Sequence, residues 1–107
     1  MSESISIVVP AHNAAATLAQ CLDGLFAQTI SRQAFEIFVV DDGSSDATCE
    51  IAEERNVRVL TQANLGAAAA RNLGAQNARG EIVLFIDADC APNSRWLEEM
   101  IAPFANN

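Results

Sequence analysis

Lysine is absent from all 107 residues, and the six basic residues are arginines. Without lysine there is no Walker A phosphate loop, which needs its Lys, and no Schiff-base or pyridoxal-phosphate chemistry. The arginines face fourteen acidic residues, for a net charge of −8. That balance excludes duplex binding, which requires a basic patch to neutralise phosphates, so no nucleic-acid partner is expected. Long apolar runs are missing too. The longest extend to about five residues, as in Ile82 to Ile86, against the roughly 20 that a membrane helix needs, and no transmembrane segment is expected in this chain. Met1-Ser2-Glu3-Ser4 lacks the basic and apolar regions of a signal peptide, which makes a cytoplasmic location the expectation. The three cysteines, Cys21, Cys49 and Cys90, form no CxxC pair and read as reduced thiols with packing roles.

What is present is enough for one core. The length is that of a single domain, expected over residues 1–107, and 50% of the residues are apolar. Apolar periodicity switches between short β-rich runs and longer helical ones, in the order β-α-β-α-β-α-β-α. Strands are expected at Ile5 to Val9, Phe35 to Val40, Val57 to Leu60 and Ile82 to Ile86. Asn13 is expected to cap the first helix, whose Leu18, Cys21, Leu22, Leu25 and Phe26 share one face. Gly43-Ser44-Ser45-Asp46 supplies a turn, a Ser cap and an acidic first turn for a second helix reaching about Arg55. The third helix is expected from near Asn64, through four consecutive alanines, to Ala78, with Gly80 as its stop. Asn93 or Ser94 should cap the last helix, carrying Trp96, Leu97, Met100 and Ile101, with Pro103 against its continuation.

This alternation predicts an α/β fold, a Rossmann-like mostly parallel sheet with helices on both faces. Arg58 between Val57 and Val59 marks the third strand as an edge, giving the order 3-2-1-4. Ile82 to Ile86 is apolar at every position, the pattern of a strand covered on both faces. Its outer edge carries no proline or lysine to block pairing, which makes self-association of the chain through strand 4 an expectation.

In the order 3-2-1-4 the crevice between strands 1 and 4 is a topological switch point, where ligands bind at the carboxyl ends of the strands. Those ends carry Pro10-Ala11-His12-Asn13, Asp41-Asp42-Gly43 and Asp87-Ala88-Asp89. Asp41, Asp42, Asp87 and Asp89 thus lie on one rim, where like charges repel unless a cation is bound. Hard oxygen ligands in an open site suit Mg²⁺ or Mn²⁺ with a diphosphate completing the shell. Arg71, on a slim alanine-rich helix, can reach the rim and pair with an aspartate or a phosphate. Gly66 would allow close backbone approach, and His12 sits beside the crevice as a ring that packs on a ligand. Cys90, one soft thiol beside hard carboxylates, is a poor metal ligand.

Together, Ile7-Val8-Val9-Pro10-Ala11-His12-Asn13, Val39-Val40-Asp41-Asp42-Gly43-Ser44-Ser45-Asp46, Asn64-Leu65-Gly66 with Ala70-Arg71-Asn72-Leu73-Gly74, and Asp87-Ala88-Asp89 resemble the family 2 inverting glycosyltransferases of the GT-A fold. The resemblance covers essentially the whole chain and implies a nucleotide-sugar site. It implies that Pro10, Ala11, His12 and Asn13, with Asp41, Asp42 and Gly66, surround the nucleotide, with Asp42 holding the base, usually uracil. Arg71 would lie near base and phosphates, Asp87 near the ribose and the metal shell, and Asp89 on Mn²⁺ or Mg²⁺. Relatives often place a phenol at the position of His12, so its role carries over as a flat ring. The resemblance also implies an acceptor-binding half with a carboxylate general base, expected beyond Asn107, because Glu98 and Glu99 fall in a helix well past the metal motif. The chain thus reads as the donor-binding half of a truncated catalytic domain, peripheral at the membrane in the full-length protein. Other α/β classes fit less well. A receiver domain requires lysine, a dehalogenase-type phosphatase carries its Asp-x-Asp after the first strand, and a dehydrogenase needs a glycine-rich turn where this chain has Pro10 to Ala15. The remaining alternative is a nucleotide-binding or scaffold module that performs no transfer.

Overall fold

The computed structural model describes residues 4–106. Four parallel strands, β1 (Ile5–Ala11), β2 (Phe35–Asp42), β3 (Arg58–Gln62) and β4 (Ile82–Phe85), form one sheet in the order β3-β2-β1-β4. Helices α1 (Leu18–Phe26), α2 (Thr48–Glu53), α3 (Ala67–Asn77) and α4 (Trp96–Ile101) connect and follow them, with 3₁₀ turns at Arg32–Ala34 and Ala102–Asn106. Among the described residues no helix is long and apolar enough to cross a membrane.

Strand side chains alternate between the two faces, and each face has its own helices. Ile5, Ile7, Val9 and Ala11 of β1 join Phe35, Ile37 and Val39 of β2, Leu18, Cys21, Leu22 and Leu25 of α1, Ala52 of α2 and Leu97 of α4 in the main core. Val8 and Val40 face the other way and pack on Ala70 of α3, with Leu60, Leu73 and Val83 around them. Helix α3 lies unusually close to the sheet: a Cβ added at Gly74 would stand 2.4 Å from Cγ1 of Val8. Its far end is fastened through Glu36, a carboxylate 2% exposed. Oε2 of Glu36 accepts from Ser6 Oγ (2.6 Å) and the Arg79 N–H (2.7 Å), and Gly80 N–H donates to Ser6 Oγ (2.8 Å). Arg58 and Arg79 place Nε atoms 3.4 and 3.9 Å from Oε1.

Several local expectations are corrected. Thr17, not Asn13, flanks the start of α1, and it makes no side-chain cap bond. Asn13 adopts φ 49° and ties the first loop to the second, its Oδ1 accepting from the Ser45 N–H at 2.8 Å while its own N–H donates to Ser44 Oγ at 2.8 Å. A left-handed Asn supports a loop better than a helix start. The expected Ser cap of α2 does not form: Ala47 flanks the helix without a side-chain cap bond, Asp46 just before it accepts from the Thr48 N–H at 3.0 Å, and the helix ends at Glu53. Gly80 is no left-handed stop, since α3 ends in extended backbone at Ala78. Gly80 is required because a Cβ there would lie 2.7 Å from the Ile5 carbonyl carbon and the Ser6 nitrogen. Asn93 accepts from the Arg95 N–H at 2.9 Å, and Pro103 sits inside the 3₁₀ turn that prolongs α4. Strand β4 is not covered on both faces: Leu84 is buried, Ile82 and Val83 are half-buried, and Phe85 is 41% exposed. Among the described residues it is the second edge of the sheet, with β1 as its neighbour.

Candidate functional site

The carboxyl ends of β1, β2 and β4 meet at the expected crevice. Pro10, Ala11, His12, Asp42 and Asp87, with Ala67 and Ala70 of α3, line a cavity of about 100 Å³. A more open cleft of about 480 Å³ adjoins it, lined by Pro10, His12, Asn13, Ala14, Ala16, Thr17, Asp87, Ala88 and Asp89. The short alanine side chains of α3 make room for the inner cavity.

The four rim aspartates part company. Strand alternation sends Asp41 and Asp42 to opposite faces, so they share no pocket. Oδ1 of Asp41, 6% exposed, accepts from the Ser44 N–H at 3.2 Å and shapes the turn. Asp42, 5% exposed, faces α3. Its Oδ1 accepts from Gln62 Nε2 (2.8 Å) and the Leu65 N–H (2.6 Å), and its Oδ2 from the Gly66 N–H (3.0 Å). These donors, the Gln62 amide first and the two backbone N–H groups after it, hold the Asp42 carboxyl below the usual aspartate range against the opposing effect of burial. Gly66 supplies the φ of 100° at the entry to α3, and a Cβ there would meet open space. Gly43 (φ 68°) does make a close approach, because a Cβ would stand 2.8 Å from the Asn64 nitrogen.

Asp87 and Asp89 stay together. With the Cys90 Sγ their ligand atoms lie within 4.8 Å of one another, all exposed. Arg71 reaches Asp87 at 3.8 Å, the pairing expected of a guanidinium on a slim helix. Two hard carboxylates on an open rim suit an oxygen-loving divalent cation, whereas the thiol adds little. Below them, burial foremost and the nearby Cys90, Asp89 and Asp87 push the Cys21 thiol up to about 11, so it stays protonated and donates to the Asp87 carbonyl at 3.7 Å. His12, exposed at the mouth, has Nδ1 2.7 Å from the Asp42 carbonyl and Nε2 3.4 Å from Asn13 Nδ2. Both contacts assign the proton to Nδ1 and leave Nε2 as an acceptor. Sequence reasoning missed Ala67, Ala70 and Gln62. The alanine run signalled the first two, while nothing local singles out Gln62, which is found only through its register partner Asp42.

The profile described as Glycosyl transferase family 2 matches residues 6–107. The chain belongs to that family. It is 36% identical over 104 residues to the glycosyltransferase AglE of Haloferax volcanii, covering 92% of this chain and 34% of that protein. With the glycosyltransferase GlyG of Streptococcus pneumoniae it shares 40% identity over 106 residues, covering 94% and 35%. This glycosyltransferase chain therefore spans about a third of the length of those curated relatives. Among solved structures, S. aureus TarS 1-349 in complex with UDP-GlcNAc superposes with a TM-score of 0.87 at 31% identity, covering 99% of this chain and 32% of that one. Glucosyl-3-phosphoglycerate synthase from Mycobacterium tuberculosis, in complex with Mn²⁺, UDP and glucosyl-3-phosphoglycerate, superposes with a TM-score of 0.74 at 29% identity, covering 95% and 39%. The GT-A fold expected from the sequence is thus the fold observed.

Proposed function

We propose that the chain is the donor-binding portion of an inverting glycosyltransferase that takes a nucleoside-diphosphate sugar, with UDP as the nucleotide, together with Mn²⁺ or Mg²⁺. The observation that carries the reading is one rim holding a narrow cavity, walled by Asp42, Pro10 and α3, next to the exposed Asp87 and Asp89 pair. The cavity suits a flat base: Asp42 accepts from its N–H edge, and Pro10 and the His12 ring offer surfaces to pack against. Asp87 and Asp89 are the residues that would hold the cation. When bound, the cation offsets the charge of the diphosphate and stabilises it as a leaving group. Arg71, 42% exposed and paired with Asp87, has donors left for phosphate oxygens. Asn13 and Asp41 serve by shaping the loops around the nucleotide. The general base that deprotonates an acceptor is assigned to sequence outside this chain, so the 107 residues are expected to bind donor without transferring sugar.

Two variants separate the halves of this reading by calorimetry. Asp89→Asn should abolish most of the metal-dependent part of UDP affinity and leave uridine binding unchanged. Asp42→Ala should weaken uridine itself, by about 1–3 kcal/mol, with or without metal. Unchanged UDP affinity in Asp89→Asn, or unchanged uridine affinity in Asp42→Ala, would refute the corresponding assignment.

A further inference from the structure

An ionised carboxylate has about four lone-pair sites and donates nothing. Asp42 has three of them engaged: Gln62 Nε2 and the Leu65 N–H on Oδ1, and the Gly66 N–H on Oδ2. One position on Oδ2 is left, on a side chain that lines the inner cavity. Gln62 is the last residue of β3 and the register partner of Asp42, so the two side chains leave the sheet on the same face. Its amide nitrogen makes two contacts, 2.8 Å to Asp42 Oδ1 and 3.2 Å to the Gly66 carbonyl. Both partners are acceptors, so the amide can sit only with its NH₂ group toward them. The carboxylate can neither rotate nor offer Oδ1 to a ligand while that amide is in place.

We propose that Gln62 is a positioning residue for base selection: by engaging Oδ1 of Asp42 and bracing the Gly66 carbonyl, it leaves Oδ2 as a single, fixed acceptor for one N–H donor on the base. The inference rests on the reading of Asp42 as the base acceptor and adds to it a residue that touches no ligand. A fixed lone acceptor distinguishes bases by what they present at that point. The uracil ring offers N3–H, a donor, whereas cytosine offers an unprotonated N3, which faces the carboxylate acceptor to acceptor. A site with a committed buried acceptor rejects the ring that cannot donate, because the last lone-pair position on Oδ2 then faces another acceptor in place of a donor.

The test compares UDP with CDP by calorimetry in Mn²⁺, for the unaltered chain and for Gln62→Leu and Gln62→Asn. Leucine removes the amide at similar volume; asparagine keeps an amide but draws it back by one methylene, so a folded variant is available if the leucine change is not tolerated. The unaltered chain is expected to favour UDP by at least about tenfold. In both variants UDP should weaken by about tenfold while CDP changes by less than about twofold, so that the preference collapses. A latch that merely fastens the loop would weaken both nucleotides alike, and that result overturns the proposal, as does a preference that survives both substitutions. An unaltered chain that binds UDP and CDP equally overturns the base-acceptor reading of Asp42 and the role of Gln62 with it. An unaltered chain that favours UDP, with variants that also favour it, overturns the role of Gln62 alone.

Discussion

Asp42 joins two tasks in one side chain. It fastens the segment between β3 and α3, through Leu65 and Gly66, and it presents an oxygen to the cavity that α3 covers. Sequence shows an aspartate at the end of a strand and nothing of these partners, since the three donors lie 20, 23 and 24 residues away along the chain. The pH dependence follows from the direction of its shift. A carboxyl held below the ordinary aspartate range contributes stability that is fully present above the unfolded-state value, about 3.9, and is lost as pH falls through the folded value. The amide resonances of Leu65 and Gly66 should therefore titrate together on acidification, with a common midpoint below about 3.9. A midpoint at or above that value would show that the three donors do not favour the charged form.

At the scale of elements, the site depends on how near α3 comes to the sheet. The fully buried positions of its contact face are Ala70 and Gly74, with Leu73 packed at the margin. Gly74→Ala would drive a Cβ into the Val8 side chain on a rigid central strand, and overpacking of that kind costs about 1–3 kcal/mol. Urea denaturation should show the midpoint falling, and an unmoved midpoint would contradict the close approach. The alanine run made a slim helix legible in the sequence, and Arg58 between valines made β3 legible as an edge. The order 3-2-1-4 followed, and with it the crevice. Strand β4 misled, because an all-apolar run reads as covered on both faces, whereas only Leu84 of the strand is buried and Phe85 is exposed. Asn13 and Gly80 were misjudged for a related reason. Each is a residue that caps or stops helices by itself, and each is recruited here to a contact distant in sequence, which local preference cannot reveal.

Over the whole molecule, charge and architecture converge on one end. The chain is strongly acidic, and the rim at the carboxyl ends of the strands holds the only cluster of three potential metal-ligand side chains among the described residues. At the opposite end Arg32 and Arg58 line a separate depression of about 380 Å³ with Glu36, so an anionic ligand drawn by charge alone would settle there. With Asp87 and Asp89 proposed to hold a divalent cation, the nucleotide is expected at the acidic rim instead. Titrating the labelled chain with UDP and Mn²⁺ and following its amide spectrum decides between the two ends. Paramagnetic broadening is expected at Asp87 through Cys90, with shifts at His12, Leu65, Gly66 and Ala67, and a chelator should reverse the broadening. Perturbations confined to Arg32, Asn56 and Arg58, or UDP binding that leaves Asp87 through Cys90 sharp in the presence of Mn²⁺, would contradict it.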